Sequence, residues 1–132
     1  MRQVSKSAFS QARKKLKPSA FIELNQTQTG HFYREFEPEK WRGYRLLAID
    51  GSLVNVPNTE PNQKHFGTWG SRHQTKRAKA RASQLFDVQN GVTVDAILKP
   101  KSIGERELAR QHLVQVGAGD LLLLDCNRRD LI

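Results

Sequence analysis

Two apolar runs that each end in a carboxylate constrain the fold of this 132-residue chain more than any other feature. The first run, residues 44–50, ends at Asp50, and the second, residues 120–125, ends at Asp125. Nearly continuous apolar runs of this length are typical of strands that are buried on both faces. A charge at the end of such a strand is costly unless it is paired or bound to a metal ion. We therefore expect the two strand ends to form a divalent-cation site.

The length and the cysteine content narrow the class of protein. A chain of 132 residues has room for one compact domain and a small appendage. The single cysteine, Cys126, excludes an internal disulfide framework. Because the chain has neither a run of about 18 apolar residues nor a basic-then-apolar leader, we predict a cytoplasmic protein without a membrane segment.

The positive charge is concentrated in the first part of the chain. The formal net charge is +9; residues 1–83 hold 16 Lys and Arg against 6 Asp and Glu, whereas residues 84–132 hold 6 against 7. A basic region beside a nearly neutral core is typical of proteins that bind polyanions, most often nucleic acid. The alternative interpretation is a highly soluble surface without a polyanionic partner.

The N-terminal region, residues 1–43, is predicted to be helical and basic. Apolar residues at helical spacing predict a helix over 5–17, closed by Pro18, and a second helix over 19–36. The candidate core contacts of the second helix are Phe21, Leu24 and Phe32. On the first helix, Arg13 and Lys14 are candidate DNA contacts, although a charged helix flank is often only solvated.

Residues 57–81 have no periodicity and predict a long basic loop. Its candidate DNA-binding cations are Lys64, Arg72, Lys76, Arg77 and Lys79. Phe66 and Trp69 lie among them, and aromatic side chains between cations can stack on splayed bases. The same two rings can instead attach the loop to the core.

The rest of the chain predicts a hairpin, a helix and a strand. Asn90-Gly91 favours a type I′ turn between two strands that are partly apolar on both faces, so we expect a sheet covered on both sides. Ser102 and Glu105 match a capping box at the start of a helix that runs to about residue 116. That helix supplies the crossover that makes the two carboxylate-tipped strands parallel neighbours.

With the two strand ends together, Asp50 and Asp125 can share Mg²⁺, which prefers one or two carboxylates together with phosphate oxygens and water. Two such ions would support phosphodiester chemistry. The structural alternative is that each Asp caps a turn. A zinc site is not supported, because the four histidines and Cys126 match no zinc-ligand spacing.

Six segments together resemble a known family. They include Leu47-Ala48-Ile49-Asp50-Gly51-Ser52 and Leu122-Leu123-Leu124-Asp125, with residues 7–16, 66–67, 82–88 and 105–109. This combination resembles the N-terminal portion of DDE transposases of bacterial insertion sequences, specifically insertion-sequence family four. The resemblance covers nearly the whole chain, and the Asp-Gly-Ser strand with the spaced second Asp is its most specific part.

The resemblance implies an α/β fold, in which N-terminal helices precede a partial RNase H-like mixed sheet over residues 44–132. It places Asp50 and Asp125 as the first two catalytic carboxylates, which hold Mg²⁺ or Mn²⁺ for DNA cleavage and strand transfer at transposon ends. It also implies a bacterial, nucleoid-associated protein that forms a homodimer or associates with full-length transposase.

The chain departs from the family pattern after Asp125. The family continues with Arg-Gly and an aromatic residue, whereas here Cys126-Asn127-Arg128 follows, and the family's third catalytic residue, a downstream Glu, has no counterpart. Glu105 and Glu107 do not replace it, because they lie in the first turn of the crossover helix. We therefore expect a truncated and catalytically incomplete core. The alternatives are a non-catalytic DNA-binding protein that occupies transposon ends or inhibits transposition, and an unstable product without function.

Overall fold

The computed structural model describes residues 4–70 and 75–124, which form N-terminal helices followed by a five-stranded mixed sheet with helices. This arrangement confirms the predicted α/β class. The elements are α1 (Lys6–Arg13), α2 (Pro18–Glu35), β1 (Arg45–Asn55), α3 (Glu60–Phe66), β2 (Thr68–Trp69), β3 (Arg77–Asp87), β4 (Val92–Lys99), α4 (Glu105–His112) and β5 (Asp120–Leu124). None of these helices has the length and apolar character needed to cross a bilayer.

The sheet is organised around β1, which lies between β3 and β5. β1 pairs with β3 antiparallel and with β5 parallel, and β2 and β4 both pair with β3. The parallel register matches Leu47 with Leu122 and Ile49 with Leu124. The predicted parallel pairing of the two apolar runs is therefore confirmed, with α4 in the connection between β4 and β5.

The two N-terminal helices are close to their predicted positions but bury less than expected. α1 begins after Ser5, whose side chain accepts a hydrogen bond from the amide of Ala8 at 3.1 Å, and it ends four residues earlier than predicted. α2 begins at Pro18, which suits the first helical position because it has no amide hydrogen to leave unpaired. Phe21 and Leu24 are exposed, so their prediction as core contacts is wrong.

The predicted loop over 57–81 is wrong in three places, because it contains α3, β2 and the first residues of β3. The helix α3 is short and has no apolar periodicity that would have revealed it. The strand had a signal, since residues 77–82 alternate strictly between a cation and alanine. Ala78 and Ala80 are buried, whereas Arg77 is exposed, as expected for the two faces of a strand.

The hairpin between β3 and β4 is confirmed, but its turn is not the predicted type I′ turn with Asn90-Gly91 between the strands. Asp87 pairs with Val92, so four residues form the loop, and Gly91 adopts a positive φ of 67° while Asn90 does not. A bulge next to Leu85 then shifts the register by one residue. As a result Asp95 pairs with Leu85 and lies on its face of the sheet, not on the face of Phe86.

The helix α4 has no capping box. It begins at Glu105 after Gly104, without a side-chain cap, and Glu105 forms an ion pair with Arg81 instead. Leu108 and His112 are fully buried, whereas Leu113 is exposed. The helix is continued by one 3-10 turn over Leu113–Gln115.

The core lies on one face of the sheet, which we call the covered face. Leu47, Leu85 and Val94 form its buried centre, with Ile49, Val116 and Leu122 packed around them. α2 and α4 contact this face through Tyr33 and His112. The other face is open around Asp50, where Gln84, Ala96 and Leu98 are exposed. Within the described residues, the prediction that the whole sheet is covered on both sides is therefore wrong.

Candidate functional site

Asp50 lies in the middle of β1, not at its end. The strand continues for five residues beyond it to Asn55, and Gly51, Ser52 and Leu53 are all exposed. The end of the apolar run therefore marks the point where β1 becomes exposed to solvent, and not the end of the strand. The carboxylate avoids the cost of burial because it is exposed on this open face.

An open groove of about 330 Å³ contains Asp50. The residues that line it are Asp50, Ser52, Ala82, Ser83, Gln84, Ala96, Ile97 and Leu98. Asp50 and Gln84 are direct cross-strand partners, as are Ser52 and Ala82, so their side chains point to the same face. The amide of Gly51 donates to Asp50 Oδ1 at 2.8 Å, which orients the carboxylate within the groove.

The second predicted carboxylate, Asp125, lies outside the described residues, and so does Arg72. Leu124, the last described residue of β5, pairs with Ile49, the residue before Asp50. Across residues 4–70 and 75–124, no group of three or more His, Cys, Asp or Glu side chains is placed to hold a metal ion. The charged oxygen ligand that the described groove offers to a hard cation is the exposed carboxylate of Asp50.

The predicted DNA-binding cations are distributed over three elements. Arg13 is the last residue of α1 and Lys14 follows it, whereas Lys64 lies on α3. Arg77 and Lys79 occupy alternate positions of β3 and share one face, and Lys76 directly precedes that strand. All of them are exposed except Lys79, which is half-buried.

A buried hydrogen-bonded chain behind the groove was not predicted from the sequence. Ser83 Oγ lies 3.0 Å from His112 Nε2, and His112 Nδ1 lies 2.8 Å from Asp95 Oδ2. A neutral imidazole satisfies both bonds when its Nδ1–H donates to the carboxylate and the serine hydroxyl donates to Nε2. This order of groups matches a hydrolytic triad. However, His112 is completely buried and Ser83 is nearly so. These hydrogen bonds therefore attach α4 to β3 and β4, directly behind the strand segment that carries Asp50.

A second polar network attaches α2 to the covered face. The hydroxyl of Tyr33 donates to Asp87 Oδ2 at 2.7 Å, and Asn90 donates to the same carboxylate through its backbone and side-chain amides. Burial, together with the bond to Asp87, raises the pKa of Tyr33 to about 12. The guanidinium of Arg45 lies 5.0 Å from the ring centroid of Tyr33. These contacts fix the C-terminal half of α2 relative to the sheet.

Comparison with known proteins gives one informative similarity. The chain is 25% identical over 131 aligned residues to a protein of Escherichia coli (strain K12) named "Putative transposase InsZ". The alignment covers 95% of this chain and 43% of InsZ, so the chain spans less than half the length of that relative. No protein-family model and no solved structure matches the chain. The comparison therefore shows a distant similarity, over a fragment of its length, to a protein named as a putative transposase.

Proposed function

We propose that this chain is the N-terminal portion of a DDE-class transposase, which binds DNA and contributes Asp50 to a Mg²⁺ or Mn²⁺ site. The observation that carries the proposal is the similarity to InsZ over nearly the whole chain. The position of Asp50, exposed in a groove and next to the parallel pair of β1 and β5, supports it. The sequence resemblance to an RNase H-like core is consistent with a mixed sheet of this order.

In this proposal Asp50 holds the metal ion, together with Asp125. A bound Mg²⁺ would activate the attacking oxygen and stabilise the charge that develops on the leaving oxygen of a phosphodiester. The Gly51 amide keeps one oxygen of Asp50 oriented, and the second oxygen has no protein partner among the described residues. Gln84 and Ser52 border the same groove and offer neutral hydrogen-bonding groups to a phosphate or to metal-bound water.

The chain by itself is proposed to bind DNA without cutting it. The resembled family needs a third acidic residue, a Glu, for which the 132 residues offer no counterpart in sequence. Binding depends instead on the exposed cations Arg13, Lys14, Lys64, Lys76 and Arg77, with Lys79 beside them. Because such cations contact phosphates, the affinity falls steeply as salt rises.

The test is fluorescence anisotropy with a labelled DNA duplex, titrated with the purified chain at several NaCl concentrations. We expect binding whose logarithmic salt dependence has a slope of about −3 or steeper, which corresponds to several phosphate contacts. A variant with Arg13→Gln and Lys14→Gln should bind more weakly at every salt concentration. Arg34→Gln with Lys40→Gln is the matched control, because it removes the same charge from other exposed positions.

Three results would decide between the proposals. Failure of the chain to bind DNA at low salt would contradict the proposed function. Binding that is insensitive to Asp50→Asn and to divalent metal would favour a non-catalytic DNA-binding protein. Metal-dependent nicking of plasmid DNA that Asp50→Ala abolishes would show that the chain is catalytically complete, contrary to our expectation.

A further inference from the structure

Trp69 lies among cations that come from two separate segments of the chain, β3 and residues 99–101. Lys101 Nζ is 4.8 Å from the centroid of the Trp69 ring system, and Arg81 Cζ is 5.7 Å from it. Lys101 also donates to the carbonyl oxygen of Thr68 at 3.4 Å, which holds its ammonium group beside the ring. The indole ring of Trp69 thus contacts two positively charged side chains, Arg81 and Lys101, that are twenty residues apart in sequence.

The strand register adds further cations to the same face. Trp69 pairs with Arg77, and Arg81 pairs with Lys99. Because alternate residues of a strand share a face, Arg77, Lys79 and Arg81 form a row with a spacing of about 6.6 Å. We call this set the Trp69 surface; its members are Trp69, Arg77, Lys79, Arg81, Lys99 and Lys101.

The positive charge of this surface is mostly uncompensated. Arg81 has an ion pair with Glu105. Among the described residues, no carboxylate lies within 4.0 Å of the charged nitrogens of Arg77, Lys79, Lys99 or Lys101. Among the described residues, these four cations outnumber Glu105, the acidic residue paired with Arg81, and they produce a local positive potential that attracts an extended polyanion.

The surface also has hydrogen-bond donors without acceptors. Trp69 Nε1 and Arg81 Nε are sheltered from solvent and have no partner in the described part of the chain. Unpaired donors in sheltered positions are uncommon, because each costs about 1–3 kcal/mol. Both occur in this cluster, so the contacts among the described residues leave two of its donors unsatisfied.

We propose that the Trp69 surface extends the proposed DNA contacts Arg77 and Lys79 to Arg81, Lys99 and Lys101, and that this surface holds the sugar-phosphate backbone by charge. This inference rests on the proposed function, which supplies DNA as the polyanion. Arg81 belongs to the covered-face set of β3, whereas Asp50 and its partner Gln84 lie on the open face, so this surface is separate from the Asp50 groove. Trp69 acts as a positioning residue for Lys101 and Arg81, and the site reads charge and not base sequence.

The experiment compares the salt dependence of DNA affinity in two variants of equal charge. In the first, Lys99→Gln and Lys101→Gln remove two cations of the Trp69 surface. In the control, Lys40→Gln and Arg110→Gln remove two exposed cations from elsewhere. We expect the first variant to bind about tenfold more weakly at low salt, with a slope of log affinity against log salt shallower by about 1.8. The control should retain the slope of the original chain.

Tryptophan fluorescence gives a second and independent readout. The chain has two tryptophans, so Trp41→Phe leaves Trp69 as the single reporter. We expect duplex DNA of unrelated sequences to change its emission equally, and the change to disappear in the Lys99→Gln, Lys101→Gln background.

The outcomes separate the two proposals. If the original chain binds DNA and both double variants have the same slope, the Trp69 surface is not a DNA site and the proposed function stands. An emission change at Trp69 with poly-glutamate but not with DNA would overturn the inference in favour of an acidic protein partner. If the original chain binds no DNA, both proposals fail. Circular dichroism of each variant confirms that it has folded.

Discussion

Arg45 and Asp120 form a bidentate ion pair across the parallel strands β1 and β5. Arg45 Nε donates to Asp120 Oδ1 at 2.8 Å, and Arg45 Nη2 donates to Asp120 Oδ2 at 2.6 Å. The two residues are also direct partners in the strand register. The bond to Arg45 lowers the pKa of Asp120, and the same bond raises the pKa of Arg45. This pair fixes the register of the two strands that lead towards Asp50.

Replacement of Arg45 by Gln should reduce the free energy of unfolding by about 1–3 kcal/mol, because Asp120 then loses a charge-assisted partner in a largely buried position. Urea denaturation measures the change. Arg110→Gln is the control, since its ion pair with Glu107 is long, at 3.8 Å, and exposed. The control should change stability by less than about 0.5 kcal/mol, and equal losses in both variants would contradict the prediction.

The ion pair between Arg45 and Asp120 also predicts how the free energy of unfolding changes at acidic pH. Because the pKa of Asp120 is lower in the folded chain, its contribution is present above the ordinary carboxyl pKa and is lost as the pH falls through the lowered value. The stability difference between the original chain and Asp120→Asn should therefore shrink below about pH 4. A difference that stays constant from pH 7 to pH 2 would show that the charge of Asp120 contributes nothing.

His112→Ala should be strongly destabilising. The substitution leaves a cavity under α4 and removes the hydrogen-bond partners of Ser83 and Asp95, which together cost about 2–5 kcal/mol. His31→Ala tests the removal of an exposed histidine and should have little effect. Thermal and urea unfolding provide the measurement. If the two variants are equally stable, the hydrogen bonds of His112 with Ser83 and Asp95 do not hold α4 in place.

Tyr33 should ionise at an unusually alkaline pH. Its pKa of about 12 means that the folded chain retains the phenolic proton more strongly than the unfolded chain does. The resulting stability is complete below about pH 10 and is lost as the pH rises from there to about 12. Absorbance titration of the two tyrosines near 295 nm should show a late step that Tyr33→Phe removes. Persistence of that step in the variant would assign it to Tyr44.

Asp50→Asn should leave stability within about 0.5 kcal/mol of the original, because the side chain is exposed and asparagine keeps an oxygen for the Gly51 amide. Under the proposed function, the same substitution should abolish Mn²⁺ binding as measured by water-proton relaxation, since it removes the carboxylate ligand. Glu60→Gln removes an exposed carboxylate on α3 and serves as the control. Equal Mn²⁺ binding in all three proteins would exclude Asp50 as a ligand.

The sequence by itself determined the order of the elements outside residues 57–81 and the pairing of the two apolar runs. Local patterns carried this information: helical spacing in the first 36 residues, Asn90-Gly91 between two strands, and a helix in the connection to the last strand. A helix in that connection allows the first and the last strand to be parallel neighbours, and β1 and β5 are paired in this way. The alternation of cation and alanine in residues 77–82 is a strand pattern as well. A prediction that used it would have placed the start of β3 at Arg77, where the structure has it.

Tertiary structure alone decided what surrounds the candidate sites. The bulge beside Leu85 brings Asp95 to His112, and the pairing of β2 with β3 brings Trp69 to Arg77 and into contact with Lys101. It also decided that Asp50 lies in mid-strand on an open face and not at a buried strand end. Such features depend on register and on packing between segments that are distant in sequence. A one-residue shift moves every side chain of a strand to the other face, and no local pattern in this chain specifies that shift.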